Sequence, residues 1–237
     1  MIYRNALIIL SISAVPLSAW AGDCKQLPTA AALAAHLAAA PTHGGEAGGL
    51  FHGTLMWAAV VNRDGEVCAA VTSTSDPTQV WPGSQAIAKA KAYTANAFSL
   101  DGLALSTARL YTFTQPGHSL WSLGQSNLSD PDEQVAPDAK SKTRIAAGLI
   151  FFGGGVPLYA AGQVIGGLGI SGDTSCTDHE IAKRVRDLAD MNPPGGMLVD
   201  DISYSGSDGA SVFTHPLCLN TWRNGALIGE EAPAVGY

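Results

Sequence analysis

Charged side chains are scarce. They make up 14% of the 237 residues, with 13 lysines and arginines against 20 aspartates and glutamates. A formal net charge of −7 without any long basic run argues against nucleic acid or an anionic membrane as a partner. The N-terminal apolar run, about ten residues, is too short to cross a bilayer, and no other apolar segment reaches that length. No two of the four cysteines lie close together in the sequence. The six histidines (His36, His43, His52, His118, His179 and His215) form neither an H-x-x-x-H pair nor a Cys/His cluster. A dedicated zinc site is therefore not expected. Internal repeats of solenoid length are also missing.

What is present begins with an export signal. Arg4 supplies positive charge, Ala6 to Val15 form the apolar run, and Ala19-Trp20-Ala21 fits a small-x-small cleavage site. Residues 1–21 read as a secretory signal peptide, which places the mature protein in the periplasm or outside the cell. Asp23 before Cys24 argues against a lipoprotein start. An even number of cysteines in an exported chain (Cys24, Cys68, Cys176, Cys218) favours disulfides.

Along the chain, Thr29 caps an Ala/Leu-rich helix that ends at Pro41, with Leu33 and Leu37 on its buried face. Two apolar runs, Leu55–Val61 and Glu66–Thr72, flank Asp64-Gly65 and read as a hairpin. Ser84 to Phe98 reads as a helix with Ile87, Ala90, Thr94, Ala97 and Phe98 on its inner face and Lys89 and Lys91 off it. Its small residues imply tight packing on a sheet. The stretch 99–148 has no clear periodicity and reads as a partly ordered insertion, suited to a binding rim or an oligomer contact. Ile150 to Ile170 forms a second hairpin about Ala161-Gly162. The last helix starts near Cys176, with Thr177 and Glu180 at capping-box spacing and Ile181, Val185, Leu188 and Ala189 as its buried stripe. The order gives an α+β domain over 22–191, a mostly antiparallel sheet flanked by helices, and a wrapping tail over 192–237.

Two motifs fail on context. Gly167-Leu168-Gly169-Ile170-Ser171-Gly172 matches G-x-G-x-x-G but lies in a hairpin arm, whereas a dinucleotide site follows a strand and opens a crossover helix. Its glycines instead allow a helix or a neighbouring subunit to approach the strand. Gly117-His118-Ser119-Leu120-Trp121 starts like a nucleophile elbow, but Trp121 stands where that sharp turn needs glycine.

Three other segments carry a resemblance. Gly153–Tyr159 with Gly162–Gly172, the hairpin Val60-Val61-Asn62-Arg63-Asp64-Gly65, and the helix Ser84–Phe98 occur in the order found in the GlcG/HbpS-type haem-binding family. Asn62 replaces the family's usual Asp. The resemblance implies a profilin-like or GlcG-like sandwich with a five-stranded antiparallel sheet, an oligomer, and haem bound by some members. The missing C-x-x-C-H excludes covalent c-type attachment, so the expected cofactor is non-covalent haem, held for sensing, storage or delivery. His118, His179 and Tyr111 are candidate axial donors; Arg109, Lys140, Lys142 and Arg144 are candidate propionate partners. The insertion, the cysteines and the tail are additions to the family pattern. The rival readings are an accessory subunit of an exported redox system and a small-molecule enzyme, the latter without convergent acid, base and nucleophile. Chain geometry favours the disulfide pairs Cys24–Cys68, near the first hairpin turn, and Cys176–Cys218, pinning the tail.

Overall fold

The computed structural model describes residues 23–127 and 148–231. The expected signal peptide and the cations Lys140, Lys142 and Arg144 lie outside them. Helix α1 (Ala30–Ala39) starts where expected, with Thr29 Oγ1 accepting from the Ala32 amide. Strands β1 (Trp57–Asn62) and β2 (Val67–Thr72) form the first hairpin. Its turn is held by Asn62, whose Oδ1 accepts the amides of Asp64 and Glu66, so Asn serves where the family carries Asp. Helix α2 spans Ser84–Phe98 and a short α3 spans Leu123–Ser126. Strands β3 (Gly155–Ala160) and β4 (Gln163–Ser171) meet at Ala161-Gly162, both with positive φ, as a tight two-residue hairpin turn demands. Helix α4 covers Ser175–Leu188, a short α5 covers Ser205–Asp208, and β5 (Thr221–Arg223) pairs with β6 (Ala226–Gly229).

The main sheet has four strands in the order β2-β1-β4-β3, all antiparallel, rather than the five the resemblance implied. Among the described residues the remaining pair, β5–β6, forms a separate ribbon in the tail. Residues 150–154, expected to open the second hairpin, precede the strand instead. Alternate residues face two cores. Ala58, Val60, Val156, Leu158, Leu168 and Ile170 meet Leu33 and Leu37 of α1 and Ile181 and Val185 of α4. The opposite face packs on α2, with Trp57 and Ala59 against Ala88 and Val61 against Ala92.

The glycines of β4 explain how close α2 lies. A side chain at Gly169 would strike the Ala88 carbonyl, and one at Gly167 the Ala92 carbonyl. The helix backbone thus rests on the strand, as the small residues implied. Of its expected inner face, Ala90 and Thr94 are buried, but the rest differs. Ala97 is exposed, whereas Lys89 and Lys91 are buried. The Lys91 ammonium crosses to α4 and reaches Asp178 Oδ2 at 2.7 Å. A charged residue stays inside when a partner meets it there.

Helix α4 shows the same logic on a larger scale. Its sequence is polar, yet almost all of it is buried. The tail and the 40–53 loop cover its outer side and supply partners. Arg186 makes a two-pronged bond to Asp200, at 2.7 and 2.9 Å. Arg184 donates to the carbonyls of Ala40, Pro41, Gly45 and Glu46, where α1 ends. Lys183 pairs with Glu180 and Asp201. Asp173, just before the helix, accepts the amides of Leu50, Phe51, Gly53 and Thr174. The N-cap is Thr174, bonded to the Thr177 amide, three residues before the expected capping box. Glu180 turns instead to Arg184 and Lys183.

Candidate functional site

The described part of the insertion folds back on the sheet edge. Residues 107–114 make two short 3-10 turns, anchored by Thr107 Oγ1 to the Phe152 carbonyl and by Thr112 Oγ1 to the Thr214 carbonyl. Between these turns, α3 and residues 149–152 lies a cleft of about 460 Å³. Tyr111, Trp121, Phe151 and Phe152 give it aromatic walls, and Thr114, Gln115, Ser122 and Gln125 give it polar ones. A concave, mainly apolar volume with a few polar groups is the usual form of a small-ligand site. Trp121 and Phe152 are partly open to solvent, which sequence reasoning could not foresee.

The structure separates the candidate haem ligands. Tyr111 lines the cleft. His118 is exposed on the turn before α3 and is not among the lining residues. His179 is fully buried on α4, with Nε2 3.1 Å from the Ile202 amide and 3.4 Å from Asp201 Oδ1. It is not among the residues that line the cleft, and its Nε2 is turned to the tail at Asp201 and Ile202. Burial works against ionisation of Asp201, but the bond with His179 and the charge of Lys183 outweigh it and hold that carboxyl far below its ordinary range. Arg109 donates to the Asp201 carbonyl and lies over the Phe213 ring, so it serves the tail rather than the cleft. Arg144 lies outside the described residues.

His215, not singled out among the six histidines, stands behind the cleft wall. Its ring lies 5.1 Å from that of Tyr111. Nδ1–H donates to the Pro216 carbonyl at 2.7 Å, and Nε2 accepts the Gly153 amide at 3.2 Å. Burial pushes its pKa down to about 4, against the pull of the Pro216 carbonyl, so the ring is neutral near pH 7.

Both disulfides pair as the chain geometry suggested: Cys24–Cys68, with Cα atoms 5.5 Å apart, and Cys176–Cys218, at 6.0 Å. The second joins α4 to the tail. Three potential metal-ligating residues, Cys176, His215 and Cys218, gather here with ligand atoms within 4.8 Å of one another. The sequence was read as having no Cys/His cluster. The short spacing His215-x-x-Cys218 was its one local sign, and Cys176 joins it only through the fold.

The HbpS-like family model, described as haem degrading protein HbpS-like, matches residues 30–187. None of the curated proteins matches the chain. Among solved structures, the ORFY protein of Klebsiella pneumoniae is 23% identical, with 69% of this chain and 90% of that chain covered and a TM-score of 0.48. PduOC, solved as a haem complex, is 23% identical over 67% of this chain and 89% of its own, with a TM-score of 0.47. HbpS is 21% identical over 68% and 89%, with a TM-score of 0.42. The family match spans α1, the whole main sheet and nearly all of α4, and so this chain belongs to the HbpS-like family.

Proposed function

We propose that this chain is an exported protein that binds haem non-covalently in the cleft of Tyr111, Trp121, Phe151 and Phe152, for sensing, storage or delivery. The cleft carries the reading: it joins aromatic walls, suited to a porphyrin face, to a tyrosine that can supply an oxygen donor to ferric iron. Family membership supports the same ligand. Thr114, Gln115, Ser122 and Gln125 offer hydrogen bonds to the propionates. Bound haem would supply the redox-active iron; the chain would supply the donor, the apolar walls and the polar rim.

Haemin titration tests this directly. Wild-type protein should give a Soret shift that saturates near stoichiometry. Tyr111→Phe keeps the ring but removes the donor, and should change the Soret position and weaken binding roughly tenfold or more. Weak, non-saturating uptake by the wild type would overturn haem as the ligand. An unchanged spectrum in the variant would remove Tyr111 from the iron.

A further inference from the structure

Behind the cleft, the start of α4 and the tail bring unusual chemistry together. Cys176, Cys218 and His215 are all buried, and their ligand atoms lie within 4.8 Å of one another. Ser175 Oγ lies 3.4 Å from Cys218 Sγ and 3.5 Å from His215 Nε2. Donors around a tetrahedral zinc-type ion, with bonds of about 2.0–2.3 Å, stand roughly 3.3–3.8 Å apart. The imidazole and the two sulfurs are thus near enough to share one ion, but the sulfurs are bonded to each other in the oxidised protein and must move apart on reduction to reach that spacing.

We infer that, once the Cys176–Cys218 disulfide is reduced, Cys176, Cys218 and His215 form a binding site for a thiophilic divalent cation of the zinc type. The fourth position falls to Ser175 Oγ or to water. The imidazole is prepared for this role. The bond from its Nδ1–H to the Pro216 carbonyl fixes the tautomer and leaves Nε2 as the unprotonated nitrogen, the outer-shell arrangement that orients metal-bound histidines. The Nε2 atom must release the Gly153 amide to bind the ion. The thiolates are prepared as well. Cys218 Sγ accepts the Cys176 amide at 3.2 Å, at the N-terminus of a 14-residue helix, a setting that favours the anionic form of sulfur.

The chemistry balances with a dithiol as reductant. Two electrons and two protons pass to Cys176 and Cys218, and the dithiol becomes a disulfide. Capture of the cation then releases the two thiol protons to solvent and leaves two metal–thiolate bonds. The oxidised protein holds no such site, because its sulfurs are bonded to each other. Ion binding here would thus report the thiol–disulfide state of the surroundings.

Cobalt(II) provides the test, in the absence of haem, so its result is separate from that of the haemin titration. The full protein is reduced with a phosphine until thiol titration finds all four cysteines free, and cobalt is then added without air. The expected result is a saturable thiolate-to-cobalt charge-transfer band, accompanied by the visible bands of tetrahedral cobalt and lost on addition of zinc. Oxidised protein should show none. His215→Ala should weaken binding at least roughly tenfold, while Cys24→Ser/Cys68→Ser should keep the band. No band in the reduced wild type would overturn the inference. So would a band that survives in Cys176→Ser/Cys218→Ser, or one indifferent to His215→Ala.

Discussion

Replacing Lys91 with methionine should give a stability loss that grows with pH. In the wild type, Lys91 and Asp178 are 0% and 3% exposed and meet at 2.7 Å. Burial pushes the Asp178 carboxyl up to about 6, against the pull of Lys91, and the neighbouring Asp173 carboxylate adds to the rise. Burial also holds the Lys91 ammonium below its ordinary value, against the pull of Asp178. A carboxyl whose pKa rises on folding stabilises the fold at low pH, and that contribution is lost as pH climbs from about 4 to about 6. Above about pH 6 the wild-type Asp178 carboxyl is ionised and this slope ends. Without Lys91 the carboxyl has no buried cation and stays protonated to higher pH. Holding that proton costs about 1.4 kcal/mol for each further pH unit. The penalty of Lys91→Met should thus be small near about pH 5 and reach about 3 kcal/mol near about pH 8, the lower end of the range for a broken buried pair. Urea unfolding of the wild type and variant at several pH values measures it. The double variant Lys91→Met/Asp178→Asn, which leaves no buried charge at the pair, should recover most of the loss at the alkaline end. A penalty independent of pH, or a double variant as unstable as the single one, would refute this account.

Two further substitutions probe the architecture. Gly169→Ala should cost about 1–3 kcal/mol in thermal or urea melts by driving α2 off β4, whereas Ala97→Leu, on the exposed side of that helix, should stay within about 0.5 kcal/mol. Asp200→Asn should cost about 3–5 kcal/mol by leaving the buried guanidinium of Arg186 without its anion, and limited proteolysis should then cut the tail faster than in the wild type.

Features set by neighbouring residues were legible in the sequence. Asp64-Gly65 and Ala161-Gly162 marked both hairpins, Thr29 marked the start of α1, and the glycines of β4 announced a close helix. Features set by distant partners were not. Lys91 reads as a surface residue of α2 because Asp178, which makes its burial tolerable, comes 87 positions later. The face of α2 was misjudged for that reason. His179 was named a candidate donor near the start of the last helix, and only the tail around Asp201 and Ile202 shows that it is enclosed. Of the candidate site, Tyr111 was foreseen among the donors. Its companions Trp121, Phe151 and Phe152 come from segments with no shared periodicity, which the fold alone brings to one cleft. The fifth strand was an inference from resemblance, and nothing local in the chain encoded it.

The pairing of β1 with β4 joins strands that lie far apart in the chain, with β2, α2, the cleft-forming segment and β3 between them. Closing a long loop costs only slowly more as it lengthens, about 0.6 kcal/mol for each doubling. The segment between α2 and β3 can therefore gain or lose many residues over evolutionary time with little effect on the sheet. The turn at Ala161-Gly162 has no such latitude, since one added residue would shift the register of β3 against β4 and reverse which side chains face each core. The wall of the cleft thus tolerates changes of length that the strands beneath it cannot.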